Sequence, residues 1–99
     1  MRTYTWAWSD EVATYILDAE SLLEIVETIV DYYFGEDDAE EQRYTITAID
    51  GKFLVSINAY EEAYQYEVEA FTGDVIEFLE TIAKIQERPD TFAIRTESK

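Results

Sequence analysis

The sequence predicts an α+β fold: an antiparallel sheet of about four to six strands, in the order ββαβββαβ, with two helices packed on one face. Three observations predict it. Runs alternating apolar and polar residues recur along the chain, two longer segments switch to three- and four-residue apolar spacing, and an Asp-Gly pair joins two of the alternating runs.

"RTYTWAW" (2–8) puts Tyr4, Trp6 and Trp8 on one face and Thr3, Thr5 and Ala7 on the other, the period of a strand. "SDE" turns it into "VATYIL" (12–17), a second strand, with Ser9 as an alternative cap for a short helix. Asp18 is the expected N-cap of a helix over 19–34, and Glu20 lies near the positive end of its dipole. Leu22, Val26, Ile29, Val30 and Tyr33 make its buried stripe, and Gly35 ends it as the C′ residue. Three alternating runs follow: 43–49, 52–60 and 64–71. Asp50-Gly51 joins the first two as a hairpin, and residues 60–63 join the next pair into a meander. Thr72 or Asp74 caps a second helix over 75–87, with core positions Val75, Ile76, Leu79, Ile82, Ala83 and Gln86. "RPD" stops it, and "TFAIRT" (91–96) alternates as a last strand.

Ninety-nine residues suit a single domain. With 47% hydrophobic and 15% aromatic residues, the chain does not have the composition of a disordered acidic tail, although its net charge is −16. Such a charge opposes compaction, and an ordinary domain has only about 5–15 kcal/mol of stability. The charge is also unevenly placed. From Thr3 to Gln42 there are twelve Asp or Glu and no base, from Tyr44 to Ala83 the only base is Lys52, and four of the seven bases lie in the last sixteen residues. The N-terminal stretch holds one Arg and no long apolar run, so no signal peptide is expected. No apolar run approaches a membrane span, which leaves a soluble, cytoplasmic protein as the expectation.

Without His or Cys, the usual nucleophile–base pairs, thiolate zinc sites and histidine metal sites are excluded. Residues 89–99 carry the Pro-Asp and acid-x-Lys elements of metal-dependent nucleases. Yet Asp90 and Glu97 are seven residues apart on an expected strand, about 23 Å at about 3.3 Å per residue, too far to share a cation. "GEDDAEEQ" (35–42) lacks the alternating ligands of a calcium loop, and neither a phosphate-binding Gly loop nor a nucleophile elbow is present. No catalytic residue, metal or cofactor is expected.

The acids themselves are the informative constellation. Glu20, Glu24, Glu27 and Asp31 follow helical spacing and line one face of the first helix; Asp74, Glu77 and Glu80 do so on the second. Glu67 and Glu69 point to one side of a strand, about 6.6–6.8 Å apart, comparable to the phosphate repeat of a nucleic-acid strand. Glu36, Asp37, Asp38, Glu40 and Glu41 crowd the loop after the first helix. Acids on a polar helix face are ordinary, but an ordinary helix interleaves Lys with Glu, and the first helix has none. Tyr15, Tyr32, Tyr60 and Phe71 are expected to be exposed, and tyrosine is enriched at binding hot spots.

In size, acidity, lack of Cys, and acids such as Glu20, Glu24, Glu27 and "EDDAEE" on an α+β scaffold, the chain resembles the phage-encoded acidic DNA-mimic inhibitors. That class includes anti-restriction and many anti-CRISPR proteins. The resemblance spans the whole chain and lies in composition, not in a motif. It implies a stoichiometric, non-enzymatic blocker, monomeric or homodimeric. The partner would be a basic nucleic-acid-binding protein such as a CRISPR effector or restriction enzyme, with no direct nucleic-acid binding. An immunity protein neutralising a basic nuclease-type toxin would show the same electrostatics. Adaptation to high salt is a further alternative, which Glu exceeding Asp (fifteen to eight) does not especially favour.

Overall fold

The computed structural model of the protein describes residues 2–35, 44–59 and 62–98. Its elements run β1 (Arg2–Ser9), β2 (Thr14–Ala19), α1 (Leu22–Phe34), β3 (Tyr44–Ile49), β4 (Lys52–Ala59), β5 (Glu62–Glu69), α2 (Thr72–Ile85) and β6 (Thr91–Ser98). The α+β class and the order ββαβββαβ are those the sequence predicts. The six strands, however, form two antiparallel sheets of three, ordered β2-β1-β6 and β3-β4-β5. β1 has both edges occupied, by β2 and by the distant β6, while β4 is flanked by its sequence neighbours β3 and β5.

Alternation decides which face of each sheet is buried. In β1, Trp6 and Trp8 face inward; Trp8 pairs with Tyr15 on β2 and with Phe92 on β6. In β4, Phe53, Val55 and Ile57 face inward beside Val68 of β5. α1 packs on β2, β3 and β4, α2 on β5 and β6, and the helices pack on each other, so the helical pair bridges the two sheets. Leu22, Ile25, Val26, Ile29, Val30 and Phe34 of α1, and Val75, Phe78, Leu79, Ile82 and Ala83 of α2, join both sheets in one apolar cluster. Ile25, Phe34 and Phe78 extend the predicted stripes, whereas Tyr33, Ile76 and Gln86 are only half-buried.

Local chemistry explains the boundaries. Asp10 closes the β1–β2 turn: its Oδ1 accepts from the amides of Val12 and Ala13, each at 2.8 Å, which holds its carboxyl below the usual carboxylate range. Asp18 is not the N-cap of α1, because β2 continues through Ala19. Ser21 takes that position; its Oγ accepts from the Glu24 amide at 3.1 Å, and Glu24 Oε2 accepts in turn from the Glu20 amide at 2.9 Å. This variant of the capping box fixes the helix start. Gly35 follows the helix in an extended conformation (φ −64°), so its role is close approach: a Cβ there would lie 2.3 Å from the Asp31 carbonyl oxygen. Asp50 and Gly51 both have positive φ (49° and 77°), as a type I′ hairpin requires.

α2 differs from expectation at its start. Phe71 occupies the N-cap position without a side-chain cap, while Thr72 and Asp74 fall inside the helix. Its end is a Schellman arrangement, in which the amide of Glu87 bonds the Lys84 carbonyl and the amide of Arg88 bonds the Ala83 carbonyl, each at 2.9 Å. Pro89 follows directly. This closure puts Glu87 at φ 56°, a region that penalises a side chain with a Cβ. Glu87→Gly is therefore expected to raise unfolding stability by about 0.5–1 kcal/mol, read from the urea midpoint at unchanged slope.

Candidate functional site

Of the acids singled out in the sequence, those the structure describes lie on the outside of this scaffold. Glu20, Glu24, Glu27, Asp31, Glu67, Glu69, Glu77 and Glu80 are exposed, and Asp74 is half-buried. Glu36, Asp37, Asp38, Glu40 and Glu41 lie outside the described residues, as does Tyr60. On α1, Glu24, Glu27 and Asp31 share one face, but Glu20 precedes the helix and its side chain is not part of a helical row. Glu20 and Glu24 instead meet Asp18 around a surface hollow where the β1–β2 sheet meets the start of α1. At the other end of the row, Tyr44 of β3 donates its hydroxyl to Asp31 Oδ1 at 3.0 Å. Burial first, and then this bond, raise the ionisation of that hydroxyl above its ordinary value of 10.0.

A second cluster forms where β5 meets α2. Glu67, Asp74 and Glu77 line one groove of about 270 Å³ together with Tyr66 and Phe78. The fold thus brings Glu67 of β5 together with Asp74 and Glu77 of α2, two segments that sequence spacing does not connect. Glu69 lies on the outer face of the same strand as Glu67, both turned away from the core-facing Val68 and Tyr66. Lys52 partly neutralises this pair, with Nζ 2.9 Å from Glu67 Oε1. Glu80 continues the exposed side of α2. Two acidic regions result, one along α1 and one across β5 and α2. Among the described residues no group of acids is placed to hold a metal ion, and no helix is long and apolar enough to cross a membrane.

One acid behaves in the opposite way. Asp90, just before β6, has a fully buried side chain. Its Oδ2 accepts from Trp8 Nε1 at 3.1 Å and from the Tyr33 hydroxyl, and lies 3.4 Å from Arg88 Nε. Oδ1 is buried without a hydrogen-bond partner. The Arg88 guanidinium also lies over the rings of Tyr32 and Tyr33, 5.6 and 5.8 Å from their centroids. Trp8 in turn meets Tyr32 edge-on at 4.4 Å and Tyr15 at 5.4 Å. Asp90 therefore ties β1, α1 and the end of α2 together. It is a structural anchor, far along β6 from Glu97, which sits opposite Thr3 while Thr91 sits opposite Ser9. Of the tyrosines expected at the surface, Tyr15 and Tyr32 are exposed at the rim of this anchor, and Phe71 is exposed at the start of α2.

In comparison with known proteins, the chain matches no family model, no curated protein and no solved structure.

Two outcomes follow for the anchor. Asp90→Asn keeps the shape but removes the charge that strengthens three contacts, and is expected to cost about 1–3 kcal/mol, measured by chemical denaturation. Alkaline pH should also weaken the fold. Burial, then the bond to Asp90, raise the Tyr33 hydroxyl above its ordinary 10.0, so the unfolded chain loses that proton first. The contribution is complete below that value and is lost as pH rises through the folded-state ionisation. The thermal midpoint should fall as pH rises from about 10 to about 12, and fall less steeply in Tyr33→Phe.

Proposed function

We propose that the protein is a stoichiometric, non-catalytic inhibitor that occupies the basic nucleic-acid-binding site of a DNA- or RNA-binding protein, of the anti-CRISPR or anti-restriction type. The observation that carries this reading is the fixed placement of exposed carboxylates on regular elements. Glu24, Glu27 and Asp31 are held on one helix face, and Glu67, Asp74 and Glu77 around one groove. Helices and strands anchored by a packed core present these charges in a set pattern, as a nucleic-acid strand presents its phosphates. Docking then costs little side-chain and backbone ordering relative to a flexible acidic tail. The target's Lys and Arg meet carboxylates where they would otherwise meet phosphates, with fast, electrostatically steered association.

The bare excess of charge supports the same reading. A chain at −16 gives up stability to self-repulsion, and a function that uses the repelling groups accounts for that. The acids with a counter-charge or structural role, Glu67 beside Lys52, Glu24 at the helix cap and Asp31 bonded to Tyr44, are the weaker contributors to recognition. Glu27, Asp74 and Glu77 are the stronger ones.

The test is the dissociation constant against salt for a target captured from host lysate and purified. Affinity should fall by an order of magnitude or more between about 0.05 and about 0.2 M salt, and inhibition should saturate near one-to-one stoichiometry. Affinity that barely changes with salt, or inhibition at strongly substoichiometric protein, would contradict charge mimicry. The protein alone should show no binding to duplex or single-stranded DNA.

A further inference from the structure

Among the described residues, most of the exposed large apolar side chains lie on or beside one strand, with Ile49 and Phe71 apart from it. Tyr15, Ile16 and Leu17 lie in β2, Val12 just precedes it, and Tyr32 packs beside it on Trp8; Ile16 is 75% exposed. β2 is the edge of its sheet, paired with β1 alone among the described residues. Soluble proteins ordinarily blunt such an edge with Lys, Pro or a bulge, and "TYILDA" has no Lys or Pro. An open, apolar edge is a template for another strand.

We infer that β2 pairs antiparallel with β2 of a second copy of this chain, joining two three-stranded sheets into one of six. Self-complementarity favours a second copy over a foreign strand. A twofold axis perpendicular to the sheet keeps inner faces together only if paired residue numbers have an even sum. Centring it on Ile16 sets Ile16 against its own copy on the outer face, Tyr15 against Leu17 on the inner face, and Thr14 against Asp18. Apolar meets apolar, and a hydroxyl meets the carboxylate. Shifting the centre to Leu17 would press Ile16 against Asp18, and shifting it to Tyr15 would leave Ile16 against Thr14. In the Ile16-centred register the two copies of Asp18 are four residues apart along the ladder, about 13–14 Å, beyond the screening length of about 8 Å at physiological salt.

Because each copy carries −16, this association should strengthen with added salt, the reverse of binding to a basic target. Sedimentation equilibrium on the unmodified chain should show a mass rising from 11.6 kDa toward twice that value with concentration, and more so in high salt. The chain has no Cys, so an introduced one reports register unambiguously. Ile16→Cys puts two thiols on directly opposed residues, with Cα atoms about 4.5–5.5 Å apart, within disulfide reach. Thr14→Cys, on the same face, puts them four residues apart. Ile16→Cys should oxidise to a covalent dimer and Thr14→Cys should not, while Ile16→Lys should stay monomeric with an unchanged circular dichroism spectrum. A chain that remains monomeric at high concentration and high salt would overturn the inference, even if a foreign strand takes the edge. Equal crosslinking of the two Cys variants, or undiminished dimerisation of Ile16→Lys, would also overturn it.

Discussion

A net charge of −16 on a chain with a radius of gyration of 13.4 Å makes mutual repulsion a term that the apolar core must outweigh. Two carboxylates about 6 Å apart repel by roughly 0.7 kcal/mol in water, and more where the protein lowers the local dielectric. The arrangement limits this by keeping the described acids other than Asp90 at the surface, where water and salt screen them, many of them on α1, α2 and β5. The interior is left to Trp, Phe, Ile, Leu and Val from both sheets and both helices. Each such fully buried large side chain contributes about 1.5–3 kcal/mol, so a modest core can hold a strongly charged shell.

Asp90 is the exception that shows the rule. Its buried carboxylate has two neutral donors, Trp8 and Tyr33, and the Arg88 guanidinium beside it. The other described carboxylates are left mostly to solvent. The last strand and the first are thereby locked to the end of α1 at one point. The aromatic rings around it, Tyr15 and Tyr32 included, continue outward into the open β2 edge, so the anchor and the apolar surface form one continuous region.

Much of this was legible in the sequence because the signals are local. Strict alternation gave the strands, apolar spacing gave the helices, and Asp50-Gly51 gave the hairpin with both positive φ values. The helix starts were misplaced. Ser21 with Glu24 carries the S-x-x-E signature of a capped start, and Asp18 competes with it only if the second strand is taken to stop early. The division into two sheets was not legible: it depends on β6 returning to pair with β1 across most of the chain. The same long separation hid the anchor, since Trp8 and Asp90 are 82 residues apart and nothing near Asp90 in sequence indicates a buried role. Helical spacing put Glu24, Glu27 and Asp31 on one exposed face of α1, where the structure also has them, but wrongly added Glu20, which precedes the helix. The grouping of Glu67 with Asp74 and Glu77 came from the packing of α2 on β5.

We propose that a core strong enough to fix the elements, elements rigid enough to fix the acids, and acids numerous enough to stand in for phosphates make the protein compete with a nucleic acid for the same groups on a target. Direct competition tests this. With the target held constant, the apparent dissociation constant for the protein should rise in proportion to the concentration of the target's own nucleic-acid ligand, with no ternary complex at saturation. A stable ternary complex, with each ligand's affinity unchanged by the other, would contradict the account.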